Sequence, residues 1–173
     1  IEKNTVFGKR GVEEADEEIQ RRLYLQTCRT LENAGYEHYE VSNFAKRGFR
    51  SVHNSSYWQC VPYLCFGCGA SGFDGKRRYK FPESIETFME KNGLAEPETE
   101  EILNDGDLRR ERIMLSLRTS DGVSCDDLNA EQRRFLKSLE AGGLTKETGA
   151  GFRLTDDGFL VSNTIIVKLS EFE

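Results

Sequence analysis

At 173 residues the chain is long enough to bury a real core, in one domain or two small ones. It is 37% hydrophobic and 31% charged with a net charge of −6, an ordinary globular balance that gives no general electrostatic pull toward nucleic acid or an anionic membrane. No apolar run approaches the roughly 18 residues of a membrane span, and five cysteines, an odd count without the look of a disulfide framework, suit a reducing, cytoplasmic compartment.

The chain begins at Ile1 and is read as a piece of a longer protein. Residues Glu13 to Ala34 are predicted to form a helix. Ile19, Leu23, Tyr24, Thr27, Cys28 and Leu31 recur at steps of three and four, and Gly35 stands where a C-terminal cap belongs. Tyr39 to Ala45 reads as one strand, with β-branched and aromatic residues ahead of a polar end. Helix, glycine and strand make one αβ step of a βα-repeating fold. A lone step cannot cover a parallel sheet, so the other strands are expected from sequence upstream.

Lys46 to Val52 is a basic loop, and Tyr63 to Phe73 a second extended segment. Asp74-Gly75 predicts a tight turn and Arg77 to Phe81 the returning strand. A short helix is expected over Ser84 to Lys91, with Ile85, Phe88 and Met89 inward and Asn92-Gly93 closing it. Leu94 to Gly106 is acidic and reads as a linker or loop.

From Asp107 a helix is expected to about Arg118, then a turn at Ser120-Asp-Gly122. Asn129-Ala-Glu-Gln132 matches a capping box, followed by a helix with Phe135, Leu136 and Leu139 on one side. Strands at Leu144-Thr-Lys and Gly151 to Thr155 flank a turn, and a last helix runs from Asp156 to Leu169. Helices followed by a small hairpin have the pattern of a winged-helix module. The expected organisation is therefore α/β: residues 1–93, residues 94–106 as linker, and residues 107–173 as a helical C-terminal domain.

Three ordered motifs give the chain a family likeness: Tyr39-Glu-Val-Ser-Asn-Phe-Ala45, His53-Asn-Ser-Ser-Tyr-Trp58 and Tyr63-Leu-Cys-Phe-Gly-Cys-Gly-Ala70. They resemble, in order and spacing, the later part of the HemW-type proteins. These are relatives of oxygen-independent coproporphyrinogen III oxidase within the radical SAM enzymes. The likeness extends to Arg112-Ile-Met-Leu-Ser-Leu-Arg118 and to the stretch around Phe152-Arg-Leu-Thr-Asp-Asp-Gly158. It implies that residues 1–93 hold the last elements of a partial TIM-type barrel with its extension, and residues 107–173 the HemN-like C-terminal domain.

The resemblance implies haem binding at His53, Asn54, Tyr57 and Trp58. An imidazole can ligate haem iron, and aromatic rings can stack on a porphyrin face, so His53 is the candidate metal ligand. The alternative is a structural corner in which Trp58 fills core and His53 bonds a carbonyl. Ala45 is carried over as a residue lying against bound S-adenosylmethionine; ordinary strand-end packing is the competing account. The family binds a [4Fe–4S] cluster through Cys-x3-Cys-x2-Cys, a triplet this sequence does not contain. The cluster and S-adenosylmethionine sites are thus expected upstream of Ile1. Cys60, Cys65 and Cys68 have ferredoxin-like spacing but lack a clear fourth ligand, and small buried thiols are the preferred reading. Gly67-x-Gly69 is a weak nucleotide-loop signal that close strand packing explains better.

The implied function is haem binding and delivery to an acceptor protein. The first rival is an enzyme, oxidative decarboxylation of coproporphyrinogen III by radical SAM chemistry. The second is a non-catalytic interaction or DNA-binding module, for which Arg133, Arg134 and Lys137 form the basic cluster. Residues 107–173 hold 10 Lys and Arg against 12 Asp and Glu, which favours no nucleic acid. A homodimer is left open.

Overall fold

The computed structural model describes residues 1–90 and 96–172. A one-turn helix, α1 (Val6–Lys9), precedes α2 (Glu17–Asn33). The Asp16 carboxylate caps α2 by accepting the Glu18 N–H, and Gly35 ends it at φ +82°, the left-handed conformation that glycine adopts most cheaply. The inward stripe is narrower than the periodicity predicts. Cys28 is buried, but Ile19 and Leu23 stay 42% and 54% exposed, because α2 packs chiefly on the next strand and on residues 156–160.

Strand β1 (Tyr36–Glu40) pairs antiparallel with β2 (Asn43–Lys46), Tyr36 opposite Lys46 and His38 opposite Phe44. This corrects the single strand expected over 39–45. The Val41 N–H leaves the ladder to donate to the Arg118 carbonyl, and the Tyr39 carbonyl accepts from Ser120. With the end of β1 pinned there, the chain reverses at Val41-Ser42. The strand pairs described are antiparallel throughout, so the αβ step is closed by a hairpin here rather than by a parallel neighbour.

Helix α3 (Val52–Trp58) follows, and then the hairpin β3 (Ser71–Phe73) and β4 (Arg77–Lys80). Asp74 closes that turn by accepting from the Lys76 and Arg77 amides. In α4 (Ile85–Glu90) only Phe88 packs on a ring, that of Phe81; Ile85 and Met89 are 63% and 67% exposed, against expectation. The predicted end of that helix at Lys91, its closure at Asn92-Gly93 and the start of the linker at Leu94 lie outside the described residues. Residues expected as linker form β5 (Thr99–Ile102), which pairs with β4 from Arg77–Ile102 to Lys80–Thr99.

Helix α5 (Asp105–Ser116) starts two residues before the predicted Asp107. Asn104 is its cap and Asp107 completes a reciprocal capping box, so the residue read as the cap is the third residue inside. Strand β6 (Val123–Ser124), α6 (Ala130–Leu139, capped by Asn129 and Gln132), β7 (Thr145–Glu147) and β8 (Gly151–Leu154) give a three-stranded wing in the order β6-β8-β7. The single final helix divides into α7 (Asp156–Leu160) and α8 (Ser162–Ser170) at Val161. Thr155 bonds the Gly143 carbonyl, and Gly158 lies so close to the Leu144 carbonyl that a Cβ would collide with it. Those contacts anchor α7 beside Gly143 and Leu144. The continuous apolar core belongs to this C-terminal part, built from Ile113, Leu117, Leu136, Phe152, Leu154 and Leu169 among others.

Candidate functional site

The His53 to Trp58 motif folds as α3, not as an irregular corner between strands. The Ser51 side chain accepts the Asn54 N–H and starts the helix. On a helix, residues four apart share a face, so the motif separates into two pairs. His53 and Tyr57 form one pair, ring edge to ring face at 4.9 Å and 83°. Tyr57 in turn meets Tyr63 at 4.7 Å and 81°. Tyr63 is clamped to Phe73 by two backbone hydrogen bonds of 2.7 and 3.0 Å, and their rings lie 6.3 Å apart. Burial, with Tyr57 next, pushes the Tyr63 hydroxyl pKa up. The result is a row of four rings with His53 at its exposed end. Asn54 and Trp58 form the second pair. Asn54 is exposed, and Trp58 is half-buried in a hollow lined by Tyr39, Arg50, Ser116 and Thr119.

Helix α3 ends in a Schellman arrangement. The Val61 N–H donates to Ser56 and the Cys60 N–H to Tyr57, at 3.0 and 3.1 Å. The left-handed position, usually glycine, is held by Cys60 at φ +54°.

Arg50 fixes the entrance to α3. Its guanidinium donates to both oxygens of Glu37 (2.9 and 3.2 Å) and to both oxygens of Asp121 (2.9 and 3.0 Å), and lies over the Tyr39 ring at 5.7 Å. The Arg50 hydrogen bond holds the Glu37 carboxyl below the usual carboxylate range. Sequence reading missed this residue, taking it only as one charge in a basic loop.

The other sequence candidates lie apart from this row. Ala45 sits in β2 opposite Glu37 and is 7% exposed; it is mid-hairpin rather than at the end of a parallel strand. Cys60 and Cys65 are half-buried and Cys68 is exposed, which corrects the expectation of buried thiols, and the three do not converge as a metal site among the described residues. Gly67 and Gly69 take φ +97° and +69°; nothing lies within 4 Å of a Cβ built on Gly67, so conformation rather than tight packing requires glycine there. Of the basic residues on α6, Arg133 donates to the Leu128 and Cys125 carbonyls, Arg134 to the Ala130 carbonyl, and Lys137 pairs with Glu140 and Glu147.

A second polar group, also missed, is buried where α2 and β1 meet α7. His38 Nδ1 lies 2.8 Å from Asp156 and 3.8 Å from Cys28 Sγ. Burial first, then Asp156, pushes the Cys28 thiol up to about 11; burial likewise raises Tyr24. No local signal marks the group: His38, Tyr39 and Glu40 are all buried, and a register irregularity falls between His38 and Glu40.

No helix among the described residues is long and apolar enough to cross a membrane. Residues 103–161 match the HemN C-terminal domain. The chain is 28% identical over 180 residues to the heme chaperone HemW of Lactococcus lactis, covering 97% of this chain and 48% of that protein. It is 34% identical over 175 residues to the mouse mitochondrial radical S-adenosyl methionine domain-containing protein 1, covering 89% and 40%. The solved structure of coproporphyrinogen III oxidase (HemN) from Escherichia coli, a radical SAM enzyme, superposes with a TM-score of 0.69 at 15% identity, over 96% of this chain and 45% of that one. That likeness shows a shared mixed α/β fold. The chain spans about half the length of the curated relatives it matches. With its ordered motifs, its winged C-terminal part and these relatives in agreement, the chain belongs to the HemW/HemN-like radical SAM proteins and corresponds to their C-terminal portion.

Proposed function

We propose that this chain is the haem-binding portion of a haem carrier, with His53 as an axial ligand to the iron and Tyr57 beside it; Asn54 and Trp58, on the other face of α3, are assigned to the site on their motif alone. The observation that carries the reading is the row His53–Tyr57–Tyr63–Phe73, whose exposed end is an imidazole held edge-to-face by one ring. Apolar side chains near these residues in sequence stand in the open: Phe49 and Val52 are 79% and 85% exposed, and Leu64 is 75% exposed. A flat macrocycle would cover such surface while its iron takes the imidazole nitrogen. Haem is cargo here, passed on to an acceptor protein. Its likeness to the heme chaperones named HemW supports the same reading.

In the whole protein the likeness also implies a [4Fe–4S] cluster and S-adenosylmethionine. This chain has no Cys-x3-Cys-x2-Cys, so it does not supply the three cluster ligands. Ala45 is assigned to the S-adenosylmethionine side on its motif alone.

The test is a haem titration of the full-length protein by visible absorption, wild type beside His53→Ala. A saturable Soret change that the substitution abolishes supports the assignment. Saturable binding unaffected by the substitution removes His53 as ligand and keeps haem. Absence of binding removes haem carriage and leaves α3 as a packing element.

A further inference from the structure

Three donor atoms of three kinds converge where the hairpin meets the C-terminal part. Cys28 Sγ, His38 Nδ1 and an Asp156 carboxylate oxygen all lie within 4.8 Å of one another. Cys28 and His38 come from the consecutive elements α2 and β1, and Asp156 from α7, 118 residues beyond His38. Cys28 is fully buried and His38 is 7% exposed; only Asp156, whose side chain is 30% exposed, opens toward water.

Asp156 lies 2.8 Å and the Cys28 sulfur 3.8 Å from the same ring nitrogen, and the Tyr24 hydroxyl is hydrogen-bonded to the same thiol. One ring nitrogen offers one proton or one lone pair, so it serves Asp156 or Cys28 but not both, whereas a cation can take all three donors. The surroundings hold the donors in place. Phe44 stacks on the imidazole at 4.2 Å and 13°, and Phe159 meets it edge-on at 5.1 Å, so the ring cannot swing away. Two residues further along β1, Glu40 is 1% exposed, and its Oε1, like the His38 Nε2, has no hydrogen-bond partner among the described residues.

We propose that Cys28, His38 and Asp156 form a Zn²⁺ site that fastens α7 to the α2–β1 unit. A thiolate, an imidazole and a carboxylate together suit zinc better than magnesium or calcium, which prefer oxygen donors. The three donor atoms lie within 4.8 Å of one another, and the 2.8 Å contact opens to about 3.3 Å when both atoms bind one tetrahedral zinc at about 2.0–2.1 Å. Three protein donors leave one position, on the solvent side beside Asp156. Binding replaces the Cys28 S–H bond by an S–Zn bond and releases the proton to solvent. This site is separate from the His53 row and does not depend on haem binding.

The test loads full-length protein with ZnCl₂, removes excess by dialysis, and reads bound zinc by elemental analysis and zinc-edge X-ray absorption. The expected result is zinc with one sulfur at about 2.3 Å and nitrogen or oxygen at about 2.0–2.2 Å in its shell. Cys28→Ser should lose one zinc per chain, and Asp156→Asn should weaken binding by about tenfold or more. Should the buried Cys28→Ser variant fail to fold by circular dichroism, the half-open Asp156→Asn variant decides alone. Failure of wild type to retain zinc, or zinc retained unchanged in a folded variant, overturns the proposal; the latter would place the metal on other thiols.

Discussion

Arg50 holds Glu37 with two arms, Nε to one carboxylate oxygen at 2.9 Å and a terminal nitrogen to the other at 3.2 Å. Because the same guanidinium also grips Asp121, the residue ties β1, the turn before β6 and the start of α3 into one joint. Arg50→Ala should cost about 1–2 kcal/mol, toward the low end for charged hydrogen bonds because all three side chains are partly exposed. A lowered denaturant midpoint at unchanged slope is the expected signature. No change would show the joint to be an exposed pair without mechanical role.

The Glu37 contribution has a definite pH window. Its folded pKa is lowered, chiefly by the Arg50 hydrogen bond. A depressed carboxyl stabilises the fold above its unfolded value of about 4.3 and loses that contribution as pH falls through the folded value. Glu37→Gln should therefore be less stable than wild type at pH 7, and the gap should close as pH falls below about 4. Chemical denaturation at several pH values measures it; a constant gap would contradict the ion-pair origin.

Cys60 sits in the left-handed position of the α3 cap at φ +54°. Cys60→Gly should relieve that conformation and stabilise the protein by about 1 kcal/mol, offset in part by the added freedom of the unfolded chain. A thermal melt of the two proteins, read at equal ionic strength, checks this, and a destabilised variant would mean the thiol packs for more than its backbone costs.

Gly151 admits no side chain. A Cβ there would run into the Val123 carbonyl where β8 crosses β6. Gly151→Ala should cost about 1–3 kcal/mol and loosen the wing first. Hydrogen exchange at Val123 and Phe152 is the direct probe, and unchanged protection there would refute the close approach.

The thiols should react in order of exposure. Cys68 is exposed, whereas Cys28 is fully buried and its thiol is pushed up to about 11. A thiol reagent at pH 8 should label Cys68 in the folded protein and leave Cys28 until unfolding. Early labelling of Cys28 would mean that α2 lifts from β1.

What the sequence made legible follows from where local signals were strong. Asn129 and Gln132 announced α6, Gly35 the end of α2, and Asp74-Gly75 the β3–β4 turn, each by chemistry confined to a few residues. The reversal at Val41-Ser42 carried no glycine or proline, because its cause is the distant Arg118 carbonyl. Strand β5 was hidden because all four of its side chains are exposed and two are glutamates, leaving no apolar alternation to read. At the site, the motif identified α3, but the pairing of His53 with Tyr57 rather than Trp58 needed the helix. Arg50 and the His38 group have partners more than 70 residues away and were out of reach of any local rule.

Strand β5 and the Asn104 cap sit side by side, yet they serve different halves of the molecule. A chimera that exchanged the C-terminal part with that of a relative at residue 95 would strip β4 of its outer partner. One joined at residue 107 would separate Asn104 from the Asp107 it caps with. The only seam that spares both runs between Ile102 and Asn104, through buried Leu103, so recombination between family members has almost no neutral joint in this stretch.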